Sequence, residues 1–394
     1  MLQGAGFGIV NNCAGLFYQP VSQALGVSIG AISVYSSISI ASSCVVMLFA
    51  PRLLECCKAR GILTLGAICT SAPMVILSFC NALWQWYVLA ALQGVGLAFT
   101  MNLVAPIILN NWFHKKLGFA VGLSASSGGI MGAIMSFLLG LILQSGGWRK
   151  AYLISGMVGL ILTVPVCLFV LTMHPEDKGM KPYGEGETVE ERGQSVSSEP
   201  TPHGPPLNLL RDLRLWTLLP TVAIVRIATG FMQHLTTYGT SVGMLASVAT
   251  LLTTLFMLGN IASKLSFGAL NDHWGAKRCS FLGLGIVFAA LLLLWTGQYA
   301  AMLTGAFLFG TISMFSQVQV AILCRRLWDG EEYMRSMVVV SICAQLSYSI
   351  GISGIGAAYD CLGSYQAILV ALMALLLVGM YFIHRIFTGT VAKN

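Results

Sequence analysis

Apolar runs of about twenty residues recur along the whole 394-residue chain, and almost nothing charged interrupts them. Each is long enough to cross ~30 Å of hydrocarbon as a helix. Only 9% of the residues are Asp, Glu, Lys or Arg, against about 25% in soluble domains. The composition therefore reads as an integral membrane protein whose spans are helices. Twelve are expected, at 1–20, 30–51, 61–80, 83–110, 117–144, 149–173, 214–238, 246–269, 279–297, 299–324, 333–358 and 365–388. The first is short for a full crossing. It has no basic leader and no small-residue cleavage site, so it reads as a shortened span rather than a signal peptide. An apolar in-frame extension upstream of Met1 would complete it.

Between the sixth and seventh spans the composition changes. Residues 184–206, GEGETVEERGQSVSSEPTPHGPP, are rich in Gly, Ser, Pro and Glu and cannot bury enough apolar surface to fold alone. The expected organisation is an all-α membrane protein of two six-helix bundles, 1–173 and 213–394, joined by a partly disordered linker at 174–212. Basic residues give the orientation. Of the 21 Lys and Arg, only Arg149 and Lys150 fall at the outer side when the termini and linker are placed inside, and only Arg226 and Lys264 are buried in the interior of spans. Positive residues stay in the cytoplasm, so both termini and the linker are expected there, in a multi-pass protein of the cell membrane. The net charge of +7 is thus a topology signal and not a nucleic-acid signature.

Arg226 (in TVAIVRIATGF, 221–231) and Lys264 (in GNIASKLSFG, 259–268) have no acidic residue beside them in the spans. A charge at membrane depth is costly and usually marks a pathway or a ligand site. Arg226 lies twelve residues beyond Arg214, ~18 Å along a helix at ~1.5 Å per residue, too deep for easy snorkelling. Two cations without internal counter-ions call for a mobile anion. Gln233 and Asn260 share helical faces with these cations. Asn12, Tyr18, Asn102, Gln317 and Gln345 supply further polar groups to the first, fourth, tenth and eleventh spans. All are candidate substrate ligands, against the alternative of hydrogen bonds between helices. His234 is the one histidine inside a span and away from its ends, a candidate proton relay against a plain interhelical bond.

Other chemistry is missing. The eleven cysteines are odd in number and mostly scattered singly, with no zinc spacing and no disulfide framework. No phosphate-binding loop, zinc-histidine pair, Gly-x-Ser-x-Gly or internal carboxylate pair is present. Neither an enzyme, a metal site, a cofactor nor a nucleic-acid partner is expected.

After the eighth span comes GALNDHWGAKR (268–278), with Gly268, Asp272, Gly275, Lys277 and Arg278. It resembles the cytoplasmic signature of the major facilitator superfamily. The counterpart after the second span, PRLLECCKARG (51–61), keeps Glu55 and Arg60 but has Pro51 and Lys58 in place of the glycines. The resemblance implies that these clusters hold the two halves together on the cytoplasmic side. NNWFHKKLGFAVGLSASSGG (110–129), GGWRKAYLISG (146–156), HPEDKGMKPYG (174–184) and GAAYDCLGSY (356–365) resemble the monocarboxylate-carrier and oxalate–formate-exchanger group, in matching order. That group places a carboxylate-binding cation one turn before the signature glycine, where Lys264 stands. Its proton-linked members carry an acid a turn earlier and a lysine in the first helix; here those places hold Asn260 and Asn12.

The resulting expectation is a monomeric secondary transporter of small mono- or dicarboxylates, working by alternating access, with exchange of anions favoured because no buried acid can carry a proton. A proton-linked symporter and a non-transporting sensor or inactive remnant on the same fold are the alternatives.

Overall fold

The computed structural model describes residues 3–56, 59–103, 108, 112, 117–171, 183, 212–328 and 330–388. Among these residues the chain makes twelve helical passages. The first, α1, is assembled from Gly4–Asn12, Ala14–Phe17 and Tyr18–Leu25; α2 is Ile29–Cys56 and α3 Ala59–Leu77. Leu83–Leu97 with Ala98–Leu103 forms α4. A single run, Leu117–Pro165, is broken at Gly147 (φ +73°) into α5 and α6, and Val166–Val170 completes α6. In the second half α7 comprises Leu213–Thr229, Gly230–His234 and Leu235–Ser241. Ala246–Trp295 is broken at Gly275 (φ +77°) into α8 and α9. The passage α10 runs in four pieces from Tyr299 to Leu327, α11 is Gly330–Leu362 and α12 is Tyr365–Thr388.

The two breaks follow from glycine chemistry. A positive φ crowds any Cβ, so a glycine lets one helix reverse into the next without a loop. The signature segment 268–278 is therefore not the open connection expected from sequence. Helix α8 continues to the residue before Gly275, and α9 begins directly after it. Eight helical stretches among the described residues are long and apolar enough to cross a membrane.

Each half has its own core. One cluster, including Leu218, Val225, Phe256, Phe309, Leu323 and Leu376, is built almost wholly from α7–α12. The other, including Ile9, Phe17, Leu77, Trp86, Leu139 and Tyr152, is built from α1–α6. Exceptions mark where the bundles meet: Ala133 of α5 belongs to the second core, and Tyr348 and Ile352 of α11 belong to the first.

Close helix packing depends on small residues. A Cβ at Gly259 of α8 would collide with the carbonyl oxygen of Phe307 in α10. Gly259→Ala is expected to destabilise the protein by about 1–3 kcal/mol, the usual cost of overpacking. A melt in detergent should show it as a lowered Tm.

Candidate functional site

The end of the molecule at which α6 finishes and α7 begins is the linker face, and the opposite end the far face. On the far-face side the two bundles are joined by a row of polar contacts. In α2 and α11 the Ser37 hydroxyl donates to the carbonyl of Ser349 (2.6 Å), and the Ser349 hydroxyl donates back to the carbonyl of Ser37 (2.9 Å). The Ser353 hydroxyl bonds to that of Ser37 at 2.5 Å. Nearest the far face, the Gly30 N–H at the start of α2 donates to the Asp360 carboxylate at 2.8 Å, where the helix N-terminus favours a negative charge. Asp360→Ala should loosen this seal. Thiol labelling of far-face positions is the measurement, and a severalfold faster rate is expected.

The tightest crossing joins α1 to α7. Both helices tighten into 3₁₀ turns there, at Ala14–Phe17 and Gly230–His234. In a regular helix the Gly15 N–H would donate to the Asn11 carbonyl. Instead the Gln233 carboxamide enters that gap. Its Oε1 accepts from Gly15 N at 2.8 Å, and its Nε2 donates to Asn11 O at 2.6 Å. A side chain of one bundle thus replaces a missing backbone bond in the other. Gln233 is 1% exposed, so removing it strands the buried Gly15 N–H, at about 1–3 kcal/mol, and leaves the Asn11 carbonyl with the Cys13 N–H alone.

Below the seal lies Arg226. Its Nε donates to the Ala344 carbonyl at 3.1 Å and its Nη2 to Gln345 Oε1 at 2.7 Å, both on α11. Its Cζ stands 4.5 Å from the ring centroid of Tyr348. Among the described residues no carboxylate pairs with it. A guanidinium offers two forks. The one formed by Nε and Nη2 is filled by α11; of the end-on fork, Nη1 makes no hydrogen bond to the described residues and Nη2 keeps a second N–H. That end-on fork suits the two oxygens of a carboxylate.

Lys264 lies on another seam. Thr250, Thr254, Met257 and Ile261 of α8 lie against Gly140, Ser136, Gly132 and Gly129 of α5. Their spacing of four, three and four carries on to Lys264, on the same face toward the linker side. Lys264 is half-buried and makes no hydrogen bond or ion pair with the described residues. Asn260, a turn away, is buried with its Oδ1 unpartnered.

The remaining sequence candidates are distributed as follows. Gln345 stands beside Arg226. Asn12 is buried and donates to the Gly128 carbonyl of α5 at 3.3 Å, and Tyr18 donates to Ser36 at 2.7 Å; both hold helices together rather than facing Arg226. Gln233 is likewise engaged with α1. His234 is fully buried, with Nε2 3.0 Å from the Ile352 carbonyl and Nδ1 3.2 Å from the Tyr365 hydroxyl. A carbonyl only accepts, so Nε2 carries the proton and Nδ1 accepts from Tyr365. Both ring nitrogens are spent on α11 and α12. Accordingly His234→Gln should leave the pH profile of transport unchanged, whereas a relay role would flatten it. Gly268 and Gly275 lie at the end of α8, and Arg60, Lys277 and Arg278 are exposed. The side chains of Glu55, Asn102, Asp272 and Gln317 lie outside the described residues. Sequence reading missed Tyr348, because an aromatic in an apolar helix looks like ordinary core.

Comparison with known proteins supplies the context. The Major Facilitator Superfamily model matches residues 1–249 and 221–393. Monocarboxylate transporter 4 of Gallus gallus is 35% identical over 109 residues, 27% of this chain and 22% of that protein. Multidrug resistance protein MdtG of Proteus mirabilis is 26% identical over 277 residues, 68% of this chain and 64% of that protein. The chain thus spans less than two thirds of the length of these curated relatives. A solved structure of the nucleoside transporter NupG, in mutant form, superposes with a TM-score of 0.77 over 98% of both chains at 10% identity. At that identity it speaks for the fold alone.

Proposed function

The chain belongs to the Major Facilitator Superfamily, and on that premise we propose that it is a secondary carrier of small organic anions, mono- or dicarboxylates, working by alternating access. One observation carries the proposal. Arg226 is a cation within a membrane helix, without an acidic partner among the described residues, with its side-on fork filled by α11 and its end-on fork left for a ligand. Lys264, half-buried and without a hydrogen bond or ion pair among the described residues, is the second cation of the site and meets the same substrate from the α5–α8 seam. Asn260 and Gln345 set its shape from α8 and α11, and Asn102 and Gln317 belong to the same proposal from α4 and α10. The two bundles, 1–173 and 213–394, rock about this site, with the linker and both termini in the cytoplasm and the protein acting as a monomer in the cell membrane.

The likeness to a monocarboxylate transporter agrees with this charge pattern. The likeness to a multidrug protein points less directly here, because two buried positive charges repel a cationic drug. Exchange of one anion for another is the coupling mode favoured, since every Asp and Glu falls in a connection or at a span end and both nitrogens of His234 are occupied. In proteoliposomes, uptake of labelled carboxylate should rise when the interior holds unlabelled carboxylate. It should not respond to a pH gradient. Acceleration by the pH gradient, with no effect of internal anion, would instead establish proton symport.

A further inference from the structure

Between the cation and the far-face seal stands Tyr348, whose hydroxyl meets the side chains of Gln233 and Asn11. Its ring lies under the Arg226 guanidinium, 4.5 Å from ring centroid to Cζ. Its hydroxyl accepts from Gln233 Nε2 at 3.3 Å, on the same amide that fills the broken turn of α1. Tyr348 is 4% exposed and packs in the core of the first bundle, although its helix belongs to the second. The next residue is Ser349, which exchanges hydrogen bonds with Ser37. One turn earlier are Ala344 and Gln345, which hold Arg226. A stretch of six residues, 344–349, thus touches the cation at one end and the seal at the other.

We propose that Tyr348 couples anion binding at Arg226 to release of the far-face seal. The proposal rests on the anion reading above. The physical argument begins with the cation–π contact, which holds the ring against Arg226 because the guanidinium carries an uncompensated charge. A carboxylate on the end-on fork neutralises that charge and weakens the hold on the ring. The ring then gains freedom, and its hydroxyl no longer fixes the Gln233 amide in the α1 gap. Loss of the amide weakens the seal, because the buried Gly15 N–H has no other partner among the described residues. Tyr348 is a positioning residue in this scheme: it acts on the seal through Gln233 and need not touch the substrate.

The test uses the full chain with Ser33→Cys as reporter, in a Cys361→Ser background that removes an exposed thiol. Ser33 is fully buried against Gly356 in the seal, so an impermeant maleimide labels it only when the far face opens. Tyr348→Phe keeps the ring and deletes the hydroxyl. It is expected to speed labelling about fivefold, the worth of one such hydrogen bond. Gln233→Leu should speed labelling at least as much, and the double variant no more than Gln233→Leu alone. Sodium lactate should speed labelling of the Tyr348 protein and leave Tyr348→Phe unmoved. Unchanged labelling in Tyr348→Phe, or effects of the two substitutions that multiply, would overturn the coupling. Silence of lactate, acetate and oxalate in every variant, with the non-multiplying pattern intact, would support the Tyr348–Gln233 link and overturn the carboxylate reading instead.

Discussion

Gly15→Ala is expected to cut transport at least tenfold while leaving the protein folded. A Cβ built on Gly15 collides with the carbonyl oxygen of Gln233 and lies 2.7 Å from its carbonyl carbon. Both partners are backbone, so neither can swing aside as a long side chain would. The clash falls between the bundles and not within one, which is why folding of each half should survive. What is lost is the far-face-closed state. The variant should sit with its far face open, labelling rapidly at far-face cysteines and turning over slowly, because alternating access needs both states. Labelling at the parent rate, with transport intact, would show that α1 and α7 do not form the seal.

Arg226→Gln is the second large effect, with a loss of carboxylate transport of about a hundredfold. A charge-assisted hydrogen bond is worth about 1.5–3 kcal/mol, and a carboxylate on the end-on fork makes two of them. The glutamine amide cannot both satisfy the acceptors of Ala344 and Gln345 and supply a second pair of donors. Arg226→Lys separates charge from geometry. It keeps the cation but has no planar fork, so it should recover only a small part of the lost activity. Recovery to near the parent level would mean that charge alone matters and that the fork occupied by α11 plays no positioning role.

Much of the fold was legible in the sequence because the bilayer leaves few choices. Span length, the scarcity of charge and the placement of Lys and Arg all follow from the cost of exposing polar groups to hydrocarbon. Gly275 could be read as a special position, but the direct turn from α8 into α9 could not, since its flanks look like a polar connection. Within the site, Arg226 and Gln345 were each visible as polar residues in apolar surroundings, and the structure brings them to 2.7 Å. Their partner Tyr348 was not visible: its hydrophobic body hides the polar tip that matters. Gln233 was visible as a polar residue on a cavity-facing helix, but its real neighbour lies 218 positions away. Local periodicity carries no information about a contact of that range. Asn12 stood out for the same reason and proved to be tied to Gly128 of α5. Polarity within a span marks a hydrogen bond; only packing tells whether the partner is a ligand or another helix.

The central claim is that Arg226 receives a carboxylate, and counterflow in proteoliposomes tests it most directly. Vesicles loaded with unlabelled lactate and diluted into trace labelled lactate, at equal pH on both sides, should show a transient overshoot of label. Arg226→Gln vesicles should show none. The same vesicles tested with a lipophilic cation and a neutral nucleoside should accumulate neither. Counterflow of the cation or the nucleoside, together with no response to lactate, acetate or oxalate, would contradict the account.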